Sequence, residues 1–257
     1  MQWMTLFKKE MLENWRNKKW VWFPLVIILL SILDPISSYY MPQIIDSVGG
    51  LPDGTVLELP DYTPPEVVIM SLGQLSSLGV LVIVLMSMGT IAGERKSGVA
   101  ELVLVKPVSY KNYVTAKWAS LILLVWISLF LGLFVGWYYI NILFGDLTFL
   151  HLLQITFFYG LWLTLVVTLV IFYNTWIKTP GLVAFLTIAT IMIMSLITQV
   201  FGHFLDWSPN KLSNHIFESL MTDQASTDLI ATGSVTIFIS VLLLVASIYC
   251  FRIRSRV

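Results

Sequence analysis

Charge is scarce in this chain of 257 residues: Asp, Glu, Lys and Arg make up 12%, against about 25% in an ordinary soluble domain. That is too little to clothe a water-facing surface of this size. The single cysteine, Cys250, excludes an intrachain disulfide and is read as an apolar filler near the end of the last hydrophobic run. Histidine occurs only at His151, His203 and His215, with no His-Glu-x-x-His or comparable cluster, which argues against a metalloprotease. None of the three falls in the middle of an apolar run, so a Ser–His nucleophile at membrane depth has no base. No basic arm or patch points to nucleic acid, and neither an internal repeat nor a low-complexity segment is present. Gly93 and Gly98 have the spacing of half a phosphate-binding loop, but Val99 and Ala100 stand where the Lys and the Ser or Thr are required. By this route the chain binds no ATP, and no cofactor or metal is expected in it.

What the chain has in abundance is long hydrophobic runs. Residues of hydrophobic type account for 57% of it, and apolar stretches cover about 20–40, 67–92, 117–142, 149–176, 181–202 and 233–251. Each approaches or exceeds the ~20 residues with which an α-helix crosses a hydrocarbon core. The sequence therefore predicts an all-α membrane protein of six transmembrane helices. Threading them alternately leaves Lys211 as the one basic residue on its side. Lys8, Lys9, Arg16, Lys18, Lys19, Arg95, Lys96, Lys106, Lys111, Lys117, Lys178, Arg252, Arg254 and Arg256 all fall on the other. Excess Lys and Arg stays in the cytoplasm, so both termini are expected there. The first run ends at Asp34-Pro35 without a small-residue cleavage site and is read as a retained span rather than a signal peptide.

Residues 1–19 are expected to form a cytoplasmic interfacial helix, and 20–257 the transmembrane domain. Trp3, Met4, Phe7, Met11 and Trp15 fall near one helical face, with Lys9, Glu13, Arg16 and Lys19 largely opposite and Asn14 as the misfit. That pattern suits a helix lying at the lipid headgroups. The outer loops, about 41–66 and 203–232, carry Pro, Gly and most of the acidic residues, and the second is expected to form short helices. The links at 144–148 and 178–180 are short enough to make tight hairpins. Gly89 with Gly93, and Gly132 with Gly136, are four residues apart, the spacing that lets helix backbones approach in lipid. Asp34 is the one carboxylate expected well inside the membrane. It lies fourteen residues after Trp20, or ~21 Å along a helix, and an intramembrane charge is a functional candidate by default.

The inner loop of about 93–117 is the most informative segment. A short charged helix is expected from about Glu94 to Val105, with Val99, Leu102 and Val103 on one side and Pro107 ending it. Held between two spans, it has the form of a docking element. Its residues Glu94-Arg95, Gly98, Glu101-Leu102, Pro107-Val-Ser109 and Lys117 resemble the signature of ABC type-2 transporter permeases, and the six-span layout is similar over essentially the whole chain.

That resemblance implies a permease subunit of an ATP-driven exporter in a bacterial plasma membrane. It implies two permease copies, identical or related, and two copies of a separate ABC ATPase that carries ATP and Mg. Glu94, Arg95, Gly98, Glu101, Leu102 and Pro107 would then serve coupling to the ATPase. The alternative is a membrane-anchored interaction or regulatory protein without transport of its own. The substrate is not legible: Trp126, Trp137, Tyr138, Tyr139, Phe157, Phe158, Tyr159 and Trp162 suit an amphipathic cargo, lipid or packing alike.

Overall fold

A computed structural model describes residues 2–47, 61–99, 109–202, 204–224 and 226–254. Among them all regular structure is helical. Helix α1 (Gln2–Arg16) turns through Asn17 and Lys18, the latter in the left-handed region (φ 54°), into α2 (Lys19–Ser47). Next come α3 (Pro64–Gln74), a π-helical turn at Leu75–Gly79, α4 (Val80–Ser87) and the five-residue α5 (Ala92–Lys96). Then follow α6 (Tyr110–Leu143), α7 (Phe149–Trp176) and α8 (Pro180–Val200). A 3-10 turn at Pro209–Lys211, α9 (Leu212–Thr222) and α10 (Thr227–Arg254) complete the order. Among the described residues six helices are long and apolar enough to cross a membrane: α2, the α3-to-α5 run, α6, α7, α8 and α10.

Four of these spans, α2, the α3-to-α5 run, α6 and α10, run past the apolar stretches because nothing stops them at the lipid boundary. The third expected span began at residue 117, yet α6 starts at Tyr110, directly after Ser109, and continues for 34 residues. At 1.5 Å per residue that is ~51 Å, against a hydrocarbon core of ~30 Å. Part of α6 therefore stands clear of the lipid, including turns at the end that bears α1. The last span likewise starts at Thr227 rather than 233.

Helix α7 is the pillar of the bundle. It is the most enclosed of the six long helices, and Tyr159, Val166, Val167, Val170 and Ile171 are wholly buried along it. The others pack around it and around the α2–α6 pair. Gly132 and Gly136 make that pair possible. A Cβ on Gly132 would lie 2.8 Å from Ile27 Cγ2 and 2.9 Å from Ser31 Oγ, and one on Gly136 would lie 3.1 Å from the Ser31 carbonyl. At Gly89 and Gly93 a Cβ would meet nothing within 4 Å, so among the described residues those two leave open space.

Many buried polar side chains find partners on neighbouring elements, while Thr90, Thr156, Trp162 and Asn210 each keep a buried polar atom without one among the described residues. At the α6–α7 hairpin Trp137 Nε1 donates to the Leu147 carbonyl at 2.7 Å, and the Leu147 N–H donates to Asn141 Oδ1 at 2.9 Å. At the π-helical turn the buried Tyr159 hydroxyl lies 3.0 Å from Ser76 Oγ and 3.3 Å from the Leu72 carbonyl, to which it donates. The neighbouring helix thus adds a hydrogen bond to a backbone carbonyl beside the π turn, which the Leu75 N–H also reaches, and such support suits irregular backbone at membrane depth.

Candidate functional site

The expected helix from Glu94 to Val105 is interrupted. It forms over Ala92–Lys96, then turns at Ser97 and Gly98, where φ is 78°. A glycine adopts that left-handed conformation without the steric cost a Cβ would bring. Glu101, Leu102 and Pro107 lie outside the described residues.

The short α5 is gripped from four directions. The first grip is a ring of charges, buried on the side of Lys117, Glu10 and Glu94 and open to the surface at Lys9. Lys117 Nζ, on α6, stands 2.9 Å from Glu10 Oε1 of α1 and 2.9 Å from Glu94 Oε1 of α5. Lys9 Nζ closes the ring at 3.0 Å from the same Glu10 oxygen and 2.7 Å from the same Glu94 oxygen. The Lys117 side chain is 1% exposed and those of Glu10 and Glu94 are 8% and 11% exposed. Each cation thus bridges two carboxylates. Burial works to lower the Lys9 ammonium, but Glu94 and Glu10 outweigh it and hold it above its ordinary range. The Tyr113 hydroxyl also donates to Glu94. Glu10, Glu13 and Glu94 bring carboxylate oxygens within 4.8 Å of one another. Lys9 and Lys117 stand between these oxygens, so two ammonium groups balance charge that would otherwise repel.

The second and third grips come from α7 and α10. Asn174, fully buried on α7, bridges the break between α4 and α5. Its Oδ1 accepts from the N–H groups of Ile91 (3.1 Å) and Ala92 (2.9 Å), while Nδ2 donates to the carbonyls of Ser87 (3.3 Å) and Val170 (2.9 Å). One side chain so takes up backbone groups that the end of α4 and the start of α5 leave open. Arg95 Nη1 donates to the Thr175 carbonyl at 2.8 Å, and its guanidinium lies 5.9 Å from the Phe251 ring of α10. Phe251 in turn stacks on Tyr113 at 5.2 Å. The fourth direction is α1, whose Lys9 reaches Glu94 in the ring just described, and α1 is itself held to α6 by Trp3, whose Nε1 donates to Thr115 Oγ1 at 3.1 Å.

Glu94 and Arg95, singled out in the sequence, therefore both face inward. Lys96, Ser97 and Val99 are exposed. Asp34 sits in the proline-bearing α2, far along the helix from this cluster, and its Oδ2 is buried without a hydrogen-bond partner among the described residues. The sequence reading missed Glu10, Tyr113 and Asn174. Asn14 held the one available signal. It was the misfit on the apolar face of α1, and it is buried with Glu10, four residues back, where α1 packs on the bundle.

Among the described residues the arrangement is a packed joint, held by charge and hydrogen bonds, within a six-helix membrane protein. The sequence matches that of ABC-2 family transporter proteins over residues 4–251, and the chain belongs to that family. It is a multi-pass membrane permease component, non-catalytic in itself, of a family that generally works with ABC ATPases. It is also similar to the uncharacterized transmembrane protein YxlG of Bacillus subtilis (strain 168), with 28% identity over 249 residues, 97% of this chain and 96% of that protein.

Proposed function

We propose that this chain is the permease subunit of an ATP-driven exporter in a bacterial plasma membrane, with α1, α5 and the C-terminus on the cytosolic side. Two permease copies would form the translocation pathway, and two separate ATPase subunits, holding ATP and Mg, would dock on the 93–105 segment. The observation that carries the reading is the four-way grip on α5. A segment tied to α1, α6, α7 and α10 passes a push on to them instead of absorbing it, as coupling through a packed, bistable element requires. The orientation rests on the Lys and Arg excess at that end. A second copy is supported by the apolar face of α8, where Leu182, Phe185, Met192, Ile193, Leu196 and Val200 are exposed.

The coupling residues divide by role in this reading. Glu94 and Arg95 anchor α5 from within, and Gly98 supplies the turn. The docking surface falls to Lys96, Ser97, Val99 and the residues beyond, including Glu101, Leu102 and Pro107. Leu102→Asp and Gly98→Trp in the permease reconstituted with its ATPase test the idea. Both should insert normally, yet lose co-purification with the ATPase or the stimulation of its ATP hydrolysis. Normal assembly and transport by both variants would overturn it and favour a membrane-anchored interaction protein.

A further inference from the structure

On the opposite side of α6 from the charge ring, α6, α7 and α10 leave a groove of about 300 Å³. Trp118, Ile122 and Trp126 form one wall, Leu161 and Thr164 the floor, and Ile237, Ser240, Val241 and Leu244 the other wall. Its polar groups are already used. Trp118 Nε1 donates to Thr168 Oγ1 at 2.9 Å and Trp126 Nε1 to Thr164 Oγ1 at 3.0 Å. The Thr164 hydroxyl donates to the Gly160 carbonyl at 2.8 Å, and that of Ser240 to Thr236 at 2.7 Å. With those bonds made inside the protein, the groove offers an occupant only hydrocarbon contact.

The groove also has a charged end. Lys111 is seven residues before Trp118, two helical turns, and so lies on the same face of α6 about 10 Å nearer the end that bears α1. On α10, Val241, Leu244, Ile248 and Arg252 follow one another at spacings of three and four. The two helices meet at this end, where Tyr110 and Phe251, each the residue before one of these cations, pack edge to face at 5.9 Å. Lys111 and Arg252 are both exposed, and Lys111 has no ion-pair partner among the described residues. Thr115, between Lys111 and Trp118 on that face, holds the Trp3 indole, a side chain suited to headgroup depth. From Trp118 to Trp126 the wall runs ~12 Å, close to the depth of one leaflet of a ~30 Å core.

We propose that this groove binds one anionic glycerophospholipid from the leaflet at the basic end, with an acyl chain between α6, α7 and α10 and the phosphate at Lys111 and Arg252. The tail takes the wall whose polar groups are spent, and the headgroup takes the cations just past it. The site is separate from the charge ring and does not depend on transport.

The test is native mass spectrometry of the purified full chain, titrated with dioleoyl phosphatidylglycerol or dioleoyl phosphatidylcholine. The parent should retain one phosphatidylglycerol with an affinity roughly thirtyfold above phosphatidylcholine, about fivefold for each basic side chain. The Lys111→Gln, Arg252→Gln double variant should lose that preference while still binding either lipid weakly. Val241→Trp, at an exposed position, should fill the groove and lower retention of both. Equal retention of the two lipids by the parent would overturn the proposal, as would a preference that survives in the charge variant. Competition by inorganic phosphate at the same affinity would mean that the groove contributes nothing. Unchanged lipid retention in Val241→Trp, with transport lost, would assign the groove to cargo instead.

Discussion

The Lys117 ammonium lies 2.9 Å from a carboxylate oxygen of Glu10, a residue 107 positions earlier in the chain. Both are buried, and the contact ties the surface helix to the root of the third span. A buried ion pair adds little net stability compared with apolar residues of similar shape, but removing one partner strands the other and costs about 3–5 kcal/mol. Lys117→Met should therefore lower thermal stability more than Glu10→Gln, because Lys117 also serves Glu94. Pairing the two substitutions should cost less than the sum of the single effects. Thermal unfolding of the four purified proteins reads the coupling directly; additive effects would show that the contact is not energetically real.

Asn174 gives a sharper case, because its four hydrogen bonds all go to backbone. Asn174→Leu keeps the bulk but leaves the Ile91 and Ala92 N–H groups unpaired, at about 1–3 kcal/mol each. Amide hydrogen exchange should rise at residues 88–96 while the middle of α7 stays protected. Unchanged protection there would mean that the α4–α5 break is held by something else.

The glycine pairs should behave oppositely. Gly132→Leu drives a side chain into Ile27 and Ser31, where even a Cβ would be at 2.8–2.9 Å, and overpacking costs ~1–3 kcal/mol or more. Gly89→Ala and Gly93→Ala meet open space and should leave the stability of the isolated chain within ~0.5 kcal/mol. If the latter two variants nevertheless abolish ATPase stimulation, their surface is used by a partner.

Topology can be read chemically in a Cys250→Ser background. A cysteine at the exposed Lys96 should react with a membrane-impermeant maleimide only when the cytosolic side is open, and one at Asp61 only from outside. Reversed labelling would overturn the orientation drawn from the basic residues.

The spans could be read in the sequence because lipid demands length and apolarity, and both are local properties. α7 was found to within a residue or so from hydropathy alone. The joint around α5 was harder. Several of its bonds connect residues some 80 to 107 positions apart, and no periodicity records which buried Asn meets which broken helix. Glu10 is hidden further by its setting, since on an amphipathic helix a carboxylate is expected in water. The break at Gly98 follows from one backbone angle in a segment whose pattern otherwise permits a helix.

The burial of α7 has a consequence for how disturbances travel. Near one end, Gln154 donates to Ser219 of α9 at 2.6 Å and His151 meets Asp223 at 2.9 Å; near the other, Asn174 and Thr175 hold α5 and Arg95. Gln154 and Asn174 are twenty residues apart, ~30 Å along an unbroken helix, which is the thickness of the oil they cross. Walled in by its neighbours, such a rod resists bending, so an axial slip at one end reaches the other at nearly full size. If α5 receives a push as proposed, the cap formed by α9 and the foot formed by α5 are the two ends of one pushrod, and the displacement of the foot is carried to the cap.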